Sequence, residues 1–155
     1  MTEVRTMKTI AIISNQAFSL INFRGLLIQA LVYEGMRVYA LAPDFSDDLR
    51  KQVKLLGAEP VDYNLARAGM NPLRDCLTTI RLFIVLRSLR PDVTFSYCIK
   101  PVIFGTLAAW LALVPHRVCL ISGLGYVFTD SGEGWSCKHR LLRAGVSWLY
   151  QLALG

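Results

Sequence analysis

Branched apolar residues run without alternation through Lys8-Thr-Ile-Ala-Ile-Ile-Ser-Asn15, the pattern of a strand buried on both faces. The run stops at Ser14-Asn15, polar residues whose side chains can hold an irregular turn. Beyond it, Leu20, Phe23, Leu26, Leu27, Ala30 and Leu31 recur at spacings of three and four, which predicts one apolar face of a helix. Glu34-Gly35-Met36 ends that helix, glycine being favoured just past a helix end. Arg37–Ala42 then reads as a second strand, closed by Pro43-Asp44.

The same punctuation continues. Ser46, followed by Asp47 and Asp48, is a helix cap with acid in the first turn. The helix it opens turns Leu49, Val53 and Leu56 inward and Arg50, Lys51 and Lys54 outward, and Gly57 stops it. Glu59–Asn64 is a short strand near a sheet edge, because Pro60 cannot donate to a ladder. After the loop Ala66–Asn71, Asn71-Pro72 opens a helix that runs to about Leu89, with Leu73, Leu77, Ile80 and Ile84 as its expected inward face. Asp92–Tyr97 is a strand, Lys100-Pro101 starts a very apolar helix to Leu113, and Arg117–Ser122 is the next strand. Gly123-Leu124-Gly125-Tyr126 follows it, then a polar loop, Thr129–Gly134. A last amphipathic helix spans Lys138–Leu154, with Leu141, Leu142, Val146, Leu149 and Leu152 among its apolar positions.

Strands alternating with helices imply right-handed crossovers and a parallel, doubly wound, Rossmann-like α/β sheet. At 155 residues the whole span 1–155 is expected to form one domain. Such sheets bind ligands at the carboxyl ends of their strands. The loop from Asn15 to Arg24 is therefore the first candidate site.

Composition narrows the possible partners. The chain is 54% hydrophobic with a formal charge of +6, its cations scattered over predicted helices rather than massed in a block. No aromatic-interleaved basic stripe suggests nucleic acid, whereas a phosphate-bearing ligand or an anionic membrane surface suits the balance. Cys76, Cys98, Cys119 and Cys137 lie far apart, without CxxC or histidine at ligand spacing. They read as reduced thiols, at least three of them packed among apolar neighbours. The N-terminus lacks the apolar run of a signal peptide, and Val102–Val114 is too short to span a bilayer, which takes roughly 20 residues. A cytoplasmic location, or one against the inner face of the cell membrane, is expected.

Candidate chemistry is sparse. There is no GxGxxG and no GxxxxGK[ST], which argues against a dinucleotide or P-loop site. Arg24, expected about one turn into the first helix, is either a guanidinium for a phosphate or carboxylate or a surface arginine. Lys100 at a helix start opposes the helix dipole; it either adds to the anion attraction of that end or is a plain exposed lysine. Gly123 and Gly125 either let a ligand approach the main chain or permit a tight turn. His116 and His139 are isolated, so no metal site is expected, and no nucleophile elbow or paired carboxylate assigns a catalytic residue.

Three stretches in order, Phe18-Ser-Leu-Ile-Asn-Phe-Arg24, Gly35–Pro43, and Lys100-Pro101 with Gly123–Phe128, resemble the N-terminal domain of retaining family 4 glycosyltransferases of GT-B architecture. The resemblance covers nearly the whole chain and is strongest to the branch that builds bacterial surface polysaccharide on a polyprenyl-diphosphate carrier. It implies a metal-independent, cofactor-free enzyme that uses a nucleotide sugar, such as a UDP-N-acetylhexosamine. The acceptor would be lipid-linked, and the N-terminal half would bind it across an interdomain cleft. By position, Asn15, Phe23, Arg24, Tyr97 and Lys100 would lie on the acceptor side, and Gly123, Leu124, Gly125 and Tyr126 would form the donor-side loop. Many members of the family carry histidines on the fourth strand, where this chain has Phe95 and Tyr97. The family's second, donor-binding domain with its pair of glutamates is missing from the sequence, so the 155 residues alone are expected to be inactive. The competing expectation is a stand-alone, non-catalytic Rossmann-like binding module at a membrane surface. Arginines beside wide apolar helix faces (Arg81, Arg87, Arg90; Lys138, Arg140, Arg143) fit a peripheral membrane contact, with Trp148 and Tyr150 at a headgroup boundary.

Overall fold

The computed structural model describes residues 8–65 and 72–121. Within them the order is β1 (Thr9–Ile13), α1 (Ala17–Tyr33), β2 (Arg37–Ala42), α2 (Asp47–Leu55), β3 (Glu59–Asp62), α3 (Pro72–Leu89), β4 (Val93–Tyr97), a π-helical turn (Pro101–Gly105), α4 (Thr106–Leu111) and β5 (His116–Leu120). The strands form one parallel sheet in the order β3-β2-β1-β4-β5. This is the doubly wound arrangement that the alternating pattern predicts. β1 sits at the centre with four of its five residues buried, and β3, which carries Pro60, lies at the edge. The Gly123–Tyr126 loop and the Lys138–Leu154 segment lie outside the described residues.

Two apolar layers sandwich the sheet. On one face Ile10, Ile12, Val38, Ala40 and Ala42 pack against Leu20 and Ile28 of α1 and Val53 of α2. On the other, Ala11, Ile13, Tyr39 and Leu41 pack against Leu82 and Leu86 of α3 and Ala108 and Ala109 of α4. Ser46 caps α2 by accepting from Leu49 N at 3.3 Å, and Gly57 closes it with φ +87°. Gly57 also meets α1 closely: a Cβ there would stand 2.8 Å from Val32 Cγ1. Gly105 plays a similar part in the π-turn, where a Cβ would come within 3.0 Å of Ser96 Oγ and 3.3 Å of Ile13 Cδ1.

The inward faces of two helices differ from expectation. In α1 the sheet takes Ala17, Leu20, Gly25 and Ile28, while Phe23 and Leu26 point to solvent. In α3 the departure is complete. Leu73, Leu77, Ile80 and Ile84 are all exposed, and Asp75, Thr78, Thr79, Leu82 and Leu86 are buried in their place. The helix carries two competing apolar stripes, and the polar members of the chosen one are satisfied where they lie. Thr78 Oγ1 donates to Arg74 O at 2.9 Å, Thr79 Oγ1 to Asp75 O at 3.0 Å, and the Asp75 carboxylate accepts from Lys100 Nζ at 3.0 Å. A buried polar group costs little once it is hydrogen-bonded. Cys76 rides on the outer side of α3 and is exposed, unlike the half-buried Cys98 and Cys119, and Cys137 lies outside the described residues. The apolar stretch after Lys100 is likewise not one α-helix: it opens with the π-turn and ends at Leu111.

Candidate functional site at the carboxyl ends of β1 and β4

The order β2-β1-β4 brings three strand ends together. β1 gives way to Ser14, whose N–H still pairs with Leu41 O at 2.9 Å. Its hydroxyl then turns the chain, accepting from Gln16 N at 3.2 Å and sharing a 2.8 Å bond with Ser19 Oγ. Ser19 Oγ in turn lies 2.8 Å from Tyr97 Oη, at the end of β4. From the β3 side, Tyr63 Oη donates to Ser14 O at 2.6 Å. The result is a buried hydroxyl chain, Ser14–Ser19–Tyr97, that fixes the first loop. Burial pushes the Tyr97 phenol above its ordinary value, against the opposing hydrogen bonds from Ser14 and Ser19 and the Arg24 charge. Burial raises Tyr63 further still. Both phenols are therefore neutral and available as donors.

Asp44, on the loop after β2, accepts from Ala17 N at 2.7 Å. An acidic side chain thus occupies the positive end of α1, where a phosphate would otherwise be received. Arg24 supplies the positive charge at this end of the sheet. It lies about two turns into α1, deeper than expected, but a helical side chain leans back toward the N-terminus. Its guanidinium rests 4.9 Å from the centre of the Tyr97 ring, and Nη1 donates to Phe23 O at 3.0 Å. Arg24 Nε is buried and has no hydrogen-bond partner among the described residues. Beside it, Cys98 adopts φ +69°; burial raises its thiol, with Arg24 pulling the other way.

The expected site residues divide accordingly. Arg24 and Tyr97 meet directly, and Asn15 stands half-buried in the bend that follows Ser14. Phe23 is 68% exposed and packs edge-on against Phe18 at 6.5 Å, facing outward rather than onto Tyr97. Lys100 belongs to the other layer. Its ammonium is bound by Asp75 of α3, with side-chain exposures of 14% and 5%, so it is not a plain exposed lysine. Gly123, Leu124, Gly125 and Tyr126 lie outside the described residues. Sequence reading passed over Ser14, Ser19, Tyr63, Asp44 and Asp75 as site-building residues. Ser14 carried a signal as a turn-holding polar residue, and Asp44 as an acid just past a strand end in a fold that binds ligands there. Among the described residues, no group of three or more histidine, cysteine or acidic side chains could hold a metal.

A central parallel sheet, order 3-2-1-4-5, with a cation and an aromatic at the β1/β4 switch point defines a Rossmann-like domain of the kind that forms half of a GT-B enzyme. No protein-family profile matches the chain. Over 144 residues it is 31% identical to the N,N'-diacetylbacillosaminyl-diphospho-undecaprenol alpha-1,3-N-acetylgalactosaminyltransferase of Campylobacter jejuni, covering 93% of this chain and 37% of that enzyme. Among solved structures it superposes on a glycosyltransferase from Rickettsia africae with a TM-score of 0.60 at 15% identity, covering 81% of this chain and 32% of the other. It also superposes on the UDP-GlcNAc 2-epimerase of Neisseria meningitidis, solved with UDP-GlcNAc bound, with a TM-score of 0.55 at 14% identity, covering 90% and 39%. Sequence and fold together show a Rossmann-like domain similar to part of a glycosyltransferase of GT-B architecture. The chain spans about a third of the length of the relatives it matches.

Proposed function

We propose that this chain is the acceptor-binding half of an enzyme that moves a sugar, an N-acetylhexosamine carried on UDP, to a polyprenyl-diphosphate-linked acceptor in the assembly of a surface polysaccharide. The observation that carries the reading is the 31% identity spread over 93% of the chain to an enzyme whose acceptor is a diphospho-undecaprenol-linked sugar. The site chemistry supports it. A lipid-linked acceptor presents a diphosphate, and Arg24 offers a charged, partly unpaired guanidinium at the strand ends. Ser14, Ser19 and Tyr97 hold the loop before the helix that carries it, and Asn15 on that loop would bond a sugar hydroxyl. The donor is held by a second domain beyond these 155 residues, and closure of the two halves excludes water and aligns donor with acceptor. No described residue is assigned as nucleophile, acid or base. No described helix is long and apolar enough to cross a membrane. In this reading the chain meets the lipid carrier peripherally, from the cytoplasmic side.

The test is sugar transfer from UDP-N-acetylglucosamine or UDP-N-acetylgalactosamine to a synthetic polyprenyl-diphosphate monosaccharide, read by mass spectrometry. The protein from the complete reading frame should extend the acceptor, and the 155-residue chain alone should not. Arg24→Ala in the longer protein should lower kcat/KM about 10- to 100-fold, mainly through acceptor KM, as for a lost charge-assisted contact. Turnover by the short chain, or an unchanged acceptor KM in the variant, would sink this assignment. A reading frame that ends at Gly155 would turn the reading to a non-catalytic binding module.

A further inference from the structure

Each described α-helix is followed by a residue in the left-handed region, but the residues chosen differ. After α1 and α2 the position goes to glycine, Gly35 at φ +80° and Gly57 at φ +87°. After α3 it goes to Arg90 at φ +47°, and after α4 to Leu113 at φ +59°. The hydrogen bonds are those of ordinary helix ends. Leu113 N–H donates to Trp110 O at 3.0 Å and Val114 N–H to Ala109 O at 2.9 Å, as Gly57 N–H does to Lys54 O at 2.9 Å. Glycine would therefore serve at all four ends, because a Cβ is disfavoured in this backbone conformation. Arg90 is strained twice over, since Pro91 pushes the residue before it toward an extended backbone.

Both exceptions line one cavity, of about 390 Å³, at the amino ends of β4 and β5. Its lining joins the buried Leu86, Pro91, Ala112 and Val114 to the exposed Arg87, Arg90 and Asp92. Asp92 is engaged, its Oδ2 accepting from Thr9 N at 2.7 Å. Among the described residues neither Arg87 nor Arg90 has an ion-pair partner.

We infer that this cavity is a second binding site, for a small phosphomonoester with a compact apolar body. Two guanidinia in and just past the last turn of α3 suit phosphate oxygens, which arginine binds through paired N–H donors. They outweigh the single carboxylate, so the rim stays positive. The buried aliphatic lining takes the apolar body, and the volume lies within the range of small-molecule sites, about 300–1,000 Å³. A favourable helix-end charge would explain Arg87. It does not explain an arginine where glycine would be relaxed, and backbone strain kept at a cavity wall points to a position held for its side chain. The site is separate from the acceptor site and independent of the function proposed for it. β4 starts beside this cavity and ends at Tyr97, so the length of the strand, roughly 16 Å, divides the two.

The test is isothermal calorimetry on the protein from its complete reading frame, with phenyl phosphate as the probe and UDP present to fill any nucleotide site. Phenyl phosphate should saturate below about 1 mM, and phenol and inorganic phosphate should each bind at least about tenfold more weakly. Arg87→Gln should weaken phenyl phosphate about tenfold or more, as for a lost charge-assisted contact. Arg90→Gly should do the same and yet raise the thermal midpoint by about 2 °C, because glycine relieves the left-handed backbone. Leu113→Gly keeps both charges and should weaken the probe roughly threefold to tenfold through lost apolar contact. The inference is overturned by no saturation at about 10 mM, or by inorganic phosphate binding as tightly as phenyl phosphate. Unchanged binding in Arg90→Gly would also overturn it. A lowered midpoint in that variant would do so too, by showing that the arginine is there for stability.

Discussion

Lys100 and Asp75 show how little a residue's type says about its work before its neighbours are known. A lysine at the start of a helix reads as electrostatically misplaced, and a family resemblance turns it toward a cleft. The fold instead spends its charge on one buried carboxylate from a helix 25 residues away. Removing Lys100 takes from the buried Asp75 carboxylate the ammonium bound to it. Lys100→Ala should therefore cost about 3–5 kcal/mol in chemical denaturation. The double replacement Lys100→Met, Asp75→Leu should recover most of that loss, and a recovery below one-third would argue against the pairing as the source. Tyr63 and Tyr97 make a second residue-scale prediction. Their folded pKa values are raised, so the native state holds phenolic protons that the unfolded chain gives up near pH 10. The stability they contribute is complete below pH 10 and lost as pH climbs through the folded values, at about 1.4 kcal/mol per pH unit for each tyrosine. Tyr63→Phe should flatten that alkaline limb in urea unfolding followed from pH 9 to 11.

At the scale of elements, strand and helix order was legible, and helix orientation was not. Uninterrupted apolar runs at β1 and β2, the Ser46 cap, Pro60 in an edge strand and Gly57 as a stop each express a local rule, and the structure keeps every one. The cap and the stop can be measured. Ser46→Ala should cost about 1 kcal/mol, and Gly57→Ala about 2–4 kcal/mol, since alanine would combine positive φ with a Cβ driven into Val32. Equal, small effects at both positions would show that the α1–α2 contact yields more easily than its geometry suggests. The faces of α1 and α3 were misread because each helix carries more apolar residues than one stripe can hold. Spacing identifies a stripe without ranking two of them. What ranks them in α3 is the partner waiting for Asp75, a long-range fact invisible to periodicity. The site was half legible for the same reason. Arg24 and Tyr97 stood out as types at strand ends, whereas the Ser14–Ser19 hydroxyl bridge and the Asp44 cap depend on which strands become neighbours.

For the whole molecule, the sheet separates two kinds of positive charge. Arg24 works on the α1 face at the carboxyl ends of the strands, while the arginines of α3 line the opposite face. The net charge of +6 alone suggested a diffuse attraction to anything acidic; among the described residues the fold sets Arg24 against Tyr97 at the strand ends and leaves Arg74, Arg81 and Arg87 exposed on α3.

The Asp44 side chain at the head of α1 has one more consequence, and it concerns competition. Free nucleotides and inorganic phosphate are abundant wherever nucleotide sugars are used, and a bare helix end in a fold of this type would be a standing invitation to them. With its own carboxylate bonded to Ala17, the chain should bind free phosphate at this helix end more weakly than an uncapped one would, and Asp44→Asn should raise that binding. An anion reaching this edge must find a side chain, Arg24, instead of a row of amides. Selectivity here begins with a vacancy the protein has already filled.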